Sequence, residues 1–205
     1  MTKYNFQKVF RIFNNNYVSI PLEIFGNSPY KTLISTLLSS RTKDEVTLKA
    51  SQRLFKKAPT INKLLTLKKI EIEKIIYPVG FYKTKASHLK KLAYIIQKDF
   101  QGRIPNTRKN LMSLPGVGRK TANLVINRVF NFPAIAVDTH VHRISNLLGW
   151  VKTKNPIDTE KELVKSVPKK YWKDLNRLFV SIGRQYKSTR KVEKSLESYN
   201  LIDKK

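Results

Sequence analysis

Leu114-Pro115-Gly116-Val117-Gly118-Arg119-Lys120-Thr121-Ala122-Asn123 is the stretch from which the rest of the chain can be read. A helical pattern from Thr107 to Ser113 runs into it, and an apolar helical pattern from Thr121 to Phe130 runs out. Two glycines two residues apart, after a proline, form a turn whose backbone can lie flush against another molecule. The second helix begins there, so its unpaired N–H groups face outward, where an anion would sit. A helix-hairpin-helix of this kind grips a nucleic-acid phosphate through backbone N–H groups of the Gly116-Val117-Gly118 turn, without reading sequence. The same turn chemistry also joins helices that merely pack. Arg119 and Lys120 at the helix mouth tip the balance. Cations beside the positive end of a helix are unfavourable unless they serve an anion or do chemistry.

The composition points the same way. Across 205 residues, 41 Lys and Arg stand against 14 Asp and Glu, a formal charge of +27. That excess repels itself in a folded chain, and a polyanionic partner relieves it. A membrane surface is the other polyanion, but no long apolar run, signal peptide or lipidation pattern supports it. An AT-rich genome would also inflate Lys, Asn and Ile, and supplies part of the excess. With 40% hydrophobic residues the chain can bury a core, so it is not a disordered basic tail. It has no cysteine, which excludes disulfides, zinc–thiolate sites and iron–sulfur clusters. The expected location is the cytoplasm, at the nucleoid.

The hydrophobic pattern is helical nearly throughout, with no period-two alternation, so the fold class is all-α, of about ten helices. Phe6, Val9, Phe10 and Phe13 mark a first amphipathic helix closed by Asn14-Asn15-Asn16. Ser28-Pro29 opens a nearly all-apolar, hence central, helix through Leu33, Ile34, Leu37 and Leu38, which stops at Ser39-Ser40-Arg41-Thr42. Another begins near Lys43-Asp44-Glu45, and two short ones follow around Ile61–Leu67 and Ile70–Ile76. After the Pro78-Val79-Gly80-Phe81-Tyr82 turn, a long helix spans Lys83 to Phe100. Beyond the hairpin, Asp138-Thr139 caps a helix from His140 to Gly149, Asp158-Thr159 caps one reaching Val167, and Pro168 precedes a helix with Tyr171, Trp172, Leu175, Leu178 and Phe179 inward. The tail from Gly183 is basic and weakly patterned. Val192, Leu196 and Tyr199 nevertheless share one face, which predicts a short docked helix from Arg190 to Asn200.

Two residues could carry chemistry. A lysine amine can attack an anomeric carbon and form a Schiff base when deprotonated, and neighbouring cations favour deprotonation; Lys120 is the candidate. Taken alone, a lysine at a helix start is usually a solvated surface group. Asp138, in Val137-Asp138-Thr139-His140, could activate a nucleophile or stabilise a developing cation at a sugar; taken alone it is a plain helix cap. His140 could help position substrate or could pack as a polar residue. His140 and His142 are two apart, on different faces of a helix, and only His88 remains, so no metal site is expected.

The segments Leu114–Asn123 and Ile135-Ala136-Val137-Asp138-Thr139-His140-Val141-His142-Arg143-Ile144 resemble the endonuclease III family of base-excision DNA glycosylases. Leu37-Leu38-Ser39-Ser40-Arg41-Thr42-Lys43-Asp44 and Gly80-Phe81-Tyr82-Lys83-Thr84-Lys85-Ala86 match two further family segments, in the manner of archaeal members. The likeness runs from about residue 5 to 186. It implies two α-helical lobes with a DNA cleft between them: a six-helix barrel at residues 21–132, with the helix-hairpin-helix at about 107–130, and a second lobe of residues 1–20 and 133–205. The hairpin is followed by a Gly/Pro-rich loop and the catalytic aspartate. By the same resemblance Lys120 attacks the anomeric carbon of a flipped-out nucleotide, Asp138 assists base departure, and the Schiff base breaks the strand by β-elimination. Arg41 then occupies the position that fills the gap left by the flipped base, and Phe81 the position that wedges beside the orphaned partner. On residue type alone, Arg41 could instead contact phosphate and Phe81 could be core.

The tail departs from the family. Four cysteines usually hold an iron–sulfur cluster there, and the same spacing lands on Lys187, Lys194, Glu197 and Asp203. No cofactor and no metal are therefore expected. The overall expectation is a monomeric, bifunctional DNA glycosylase and AP lyase acting on duplex DNA with damaged bases, mainly oxidised pyrimidines, or abasic sites. The alternatives are an AP lyase with little base excision, a mismatch or oxidised-purine glycosylase on the same scaffold, and a non-catalytic DNA-binding module.

Overall fold

The computed structural model describes residues 5–203 and contains twelve α-helices and no strand among them. None of these helices is long and apolar enough to cross a membrane. The chain divides into two compact units, Pro21–Asn131, and Met1–Ile20 with Phe132–Lys205.

Helix α1 (Phe6–Asn15) starts at Asn5, whose side chain accepts from Lys8 N. It buries the four expected residues Phe6, Val9, Phe10 and Phe13. After a 3₁₀ turn at Pro21–Phe25, α2 (Pro29–Ser39) is capped by Ser28 and has proline in its first turn. Every residue of α2 from Thr32 to Leu38 is buried, so the helix is wrapped on all sides, as its nearly all-apolar pattern predicts. α3 (Asp44–Lys57) carries acids in its first turn and lysines in its last, in the sense the helix dipole favours. The short α4 (Ile61–Thr66) and α5 (Lys69–Ile76) lie against α6 (Tyr82–Phe100), while α3 and α8 (Arg119–Phe130) flank α2. α7 (Arg108–Met112), capped by Thr107, packs on α8 to make the hairpin. Pro21–Asn131 thus holds seven α-helices, where six were expected.

The other unit is built on one aromatic-rich core. α9 (Thr139–Leu147), α10 (Pro156–Ser166), α11 (Trp172–Gln185) and α12 (Thr189–Ser198) supply most of it, and α1 completes it. Phe13 meets Phe179 edge-on with ring centroids 5.1 Å apart, and Phe10 stacks on Tyr171 at 4.3 Å. Such pairs contribute about 0.5–1.5 kcal/mol beyond their burial. Two boundaries differ from the sequence reading. α10 begins at Pro156 and is capped by Asn155, whose Oδ1 accepts from Asp158 N at 3.0 Å, so Asp158-Thr159 lies inside the helix rather than at its cap. Gly183 lies within α11, so the tail begins after Gln185 and not at the glycine.

The tail itself is a helix. α12 is capped by Ser188 and buries Val192 and Leu196 completely, on the face the spacing predicted. Tyr199 is only half-buried and shares a 3.3 Å hydroxyl–hydroxyl hydrogen bond with Tyr186. Lys8 on α1 also donates to Asn200 O at 2.7 Å. Replacing a fully buried leucine by alanine costs about 2–5 kcal/mol. Leu196→Ala should therefore lower the melting temperature by at least about 4 °C, and truncation after Ser188 by more. An unchanged melting temperature in both variants would mean that α12 is not docked in solution.

Candidate DNA-binding and catalytic site

The hairpin turn is closed by its own backbone. Leu114 N donates to Leu111 O at 3.2 Å and Val117 N to Leu114 O at 3.1 Å. Leu111, Leu114 and Val117 are buried beneath it. Val117 therefore fixes the turn from inside, with its N–H directed to Leu114 rather than outward. Gly116 has φ +78°, and a Cβ there would stand 2.6 Å from His88 Nδ1 on α6, so its glycine is demanded by both conformation and packing.

Gly118 is different. It caps α8 with φ −90° and ψ 176°, extended backbone that any residue adopts. A Cβ there would meet nothing within 4 Å. Nothing in the protein itself requires glycine at that point, and a side chain would only stand between the backbone and an approaching partner. Having no side chain, Gly118 also offers α8 no side-chain cap of its own. Arg119 and Lys120 are the first two residues of α8; Arg119 is exposed and Lys120 half-buried. A phosphate at this mouth would meet backbone donors, a positive helix end and two cations.

Asp138 is the N-cap of α9. Its Oδ1 accepts from His140 N at 3.0 Å and Val141 N at 2.9 Å. The buried run Ala134–Val137 leads into it, and Ala136 O accepts from Asn176 Nδ2 at 2.9 Å, fixing that strand-like link against α11. One carboxylate oxygen thus serves the helix while the group as a whole stays partly exposed. His140, in the first turn of α9, lies 3.4 Å from the Arg143 guanidinium, which also donates to Gly183 O. His142 is engaged elsewhere, with Nδ1 2.6 Å from Thr159 Oγ1. Among the described residues no group of three or more His, Asp or Glu side chains could hold a metal.

Arg41 and Phe81 meet. Both are exposed, and the guanidinium carbon of Arg41 lies 5.5 Å from the centre of the Phe81 ring. Phe81 is 61% exposed, which removes the reading of it as a core residue. Sequence reasoning missed the residue behind them. Lys85 is 6% exposed, and a lysine in the first turns of an amphipathic helix gives no sign of that from pattern alone.

Hairpin, cation-flanked helix mouth and all-α architecture together define a helix-hairpin-helix nucleic-acid-binding protein. Residues 34–169 match the model of the HhH-GPD superfamily of base excision DNA repair proteins. Endonuclease III of Thermotoga maritima is 46% identical over 157 residues, which cover 77% of this chain and 74% of that one. A solved structure of a trapped endonuclease III–DNA covalent intermediate aligns with TM-score 0.76 at 32% identity, covering 89% of this chain and 87% of that one. A thermostable thymine-DNA glycosylase aligns with TM-score 0.80 at 26% identity, covering 91% and 88%. The chain belongs to the endonuclease III family of base-excision DNA glycosylases and AP lyases within the HhH-GPD superfamily.

The family's iron–sulfur cluster does not fit this chain. Such clusters need thiolate ligands, and the corresponding positions are Lys187 after α11, Lys194 and Glu197 on α12, and Asp203 beyond it. Two ammonium and two carboxylate groups cannot replace four thiolates. Val192 and Leu196 tie the segment down by burial instead.

Proposed function

We propose that this enzyme excises damaged pyrimidines, mainly oxidised ones, from duplex DNA and then cleaves the strand at the resulting abasic site. It acts as a monomer without metal or cofactor. Lys120 is the nucleophile: its amine attacks C1′ of the extruded nucleotide, the base leaves, and ring opening gives an imine between Lys120 and the sugar. Loss of a C2′ proton then expels the 3′ phosphate by β-elimination. Asp138 offsets the positive charge that develops on the sugar as the base departs. The observation that carries this reading is Lys120 in the first turn of α8, beside a hairpin whose Gly118 leaves open space where a phosphate would lie. Gly116, Gly118, Arg119 and His140 hold the backbone of the strand, and Val117 holds the turn.

The likeness to a thymine-DNA glycosylase favours a second reading, removal of a mismatched rather than an oxidised pyrimidine. A panel of duplexes, each with one lesion or mismatch, separates the two when base release and strand cleavage are resolved. Oxidised pyrimidines should be released fastest and the strand cut in step with release. Preference for mismatched thymine would select the second reading, and cleavage of abasic sites without base release would leave only a lyase.

Binding to undamaged duplex should be strongly salt-dependent and nearly independent of sequence, because the charge is +27 and the grip is on the backbone. With about six phosphates engaged, affinity should fall by about a thousandfold between 50 and 200 mM salt. A shallow slope would mean that the charge is not a DNA footprint.

A further inference from the structure

Two of the five non-glycine residues with positive φ among those described are Arg41 (φ 51°) and Phe81 (φ 57°). All five lie at helix ends, but Gln101, Asn131 and Asn200 are polar side chains after helix C-termini, and asparagine is tolerated in that conformation. Arg41 sits in a turn closed by Thr42 N donating to Ser39 O at 3.1 Å, and Phe81 opens α6 with its O accepting from Lys85 N at 2.9 Å. Large side chains seldom adopt this conformation, so contacts beyond these turns must help to hold them there.

The loop after α2 and the loop before α6 are joined to each other. Gly80 N donates to Thr42 Oγ1 at 3.1 Å. A Cβ on Gly80 would stand 2.5 Å from Arg41 O, so only glycine lets the two backbones come this close. Behind the junction lies Lys85, in the first turn of α6. Its ammonium donates to Leu38 O at 2.8 Å, Ser40 O at 2.5 Å and Thr42 Oγ1 at 3.2 Å. All three of its N–H groups are used on the C-terminal end of α2 and the loop that follows, where carbonyls lack helical partners and a cation is favoured. Burial pushes the Lys85 ammonium down to about 8, so the site holds a charged group against a solvation cost. The outcome of this junction, on its exposed side, is the stacked Arg41–Phe81 pair.

We propose that Lys85 is a positioning residue that fixes the interval between Arg41 and Phe81, so that guanidinium and ring enter the DNA as one preassembled wedge when a base is extruded. This rests on the base-excision reading above. Extrusion leaves a hole in the stack, and a wedge already formed recovers part of that loss without first being ordered. Lys85 touches neither substrate nor the reacting atoms; it acts through Arg41 and Phe81.

The test compares two substrates under single-turnover conditions. One carries the lesion in a fully paired duplex; the other carries the same lesion opposite a one-nucleotide gap, where no orphaned base needs a wedge. For Lys85→Met, which keeps the length and loses the donors, the rate ratio of paired to gapped substrate should fall by about tenfold, a modest share of what extrusion costs. Leu196→Ala, which only weakens the fold, should leave that ratio unchanged. If Lys85→Met folds poorly, Thr42→Val removes one acceptor at constant shape and should lower the ratio in the same direction. Lys85→Met in an Arg41→Ala, Phe81→Ala background should change the ratio no further, because residues acting through one another do not add. A ratio equal to wild type in Lys85→Met and Thr42→Val would overturn the proposal. Wild-type protein that releases no base from either substrate would instead overturn the functional reading beneath it.

Discussion

Borohydride added to wild-type protein and an abasic duplex is expected to leave one covalent protein–DNA adduct, and Lys120→Gln is expected to leave none. The hydride reduces the imine between amine and sugar to a stable amine, so the adduct reports the nucleophile directly. Lys120 is the second residue of α8, half-buried beside a turn with exposed glycines, so the proposed nucleophile and the proposed phosphate grip lie side by side. Glutamine keeps most of the length and polarity of the side chain and a good helix propensity, so the fold and the hairpin should persist. Binding to abasic duplex should remain, weakened by the loss of one charge, with a salt slope shallower by at most about one. Strand cleavage, which has no route without the imine, should fall by orders of magnitude. An undiminished adduct from Lys120→Gln would assign the chemistry to another amine. Lys85 is the one buried lysine among the described residues, and all its N–H groups face protein acceptors. The N-terminal amine lies outside the described residues.

How much of this was legible in the sequence depends on the range of the forces involved. α1, α2, α6 and the hairpin helices follow from periodicity and caps, which are local. So does α12, whose buried Val192 and Leu196 outweigh its charged composition. The start of α10 was legible and misread: Asn155-Pro156 is itself a cap followed by proline, and it precedes Asp158-Thr159. The split of the N-terminal helix to the far end of the chain followed only from the resemblance, because no local pattern tells Phe10 that its partner is Tyr171. The same limit hides Lys85. Its acceptors are 43 to 47 residues away in sequence, and only the folded unit brings them together. His88 is hidden likewise: only the structure shows that its ring lies under Gly116. Gly118 is the reverse case. The sequence marks it as a glycine of the hairpin, and the structure adds that no intramolecular reason for glycine exists there.

Asp138→Asn is expected to leave the protein folded and to slow base release by about a hundredfold to ten-thousandfold, the range over which positioned acid–base groups act. The residue has two possible tasks, and this substitution separates them. As a cap, Asp138 Oδ1 accepts from His140 N and Val141 N at 3.0 and 2.9 Å. An asparagine oxygen accepts the same two bonds, and asparagine is among the best N-caps, so stability should change little. Asp138→Ala would confuse the result, because it removes the cap at a cost of about 0.5–2 kcal/mol along with the charge. What asparagine cannot supply is a negative charge or a proton acceptor. A sugar losing its base develops positive charge, and an attacking ammonium must shed a proton; both steps call for a carboxylate. The loss should therefore fall on base release. Cleavage at an abasic site made beforehand, where the base has already gone, should suffer less. The measurement is single-turnover base release set beside a melting curve for the same preparation. Near-wild-type excision by Asp138→Asn would make the aspartate a helix cap and nothing more, and the charge on the sugar would then have to be met by another group.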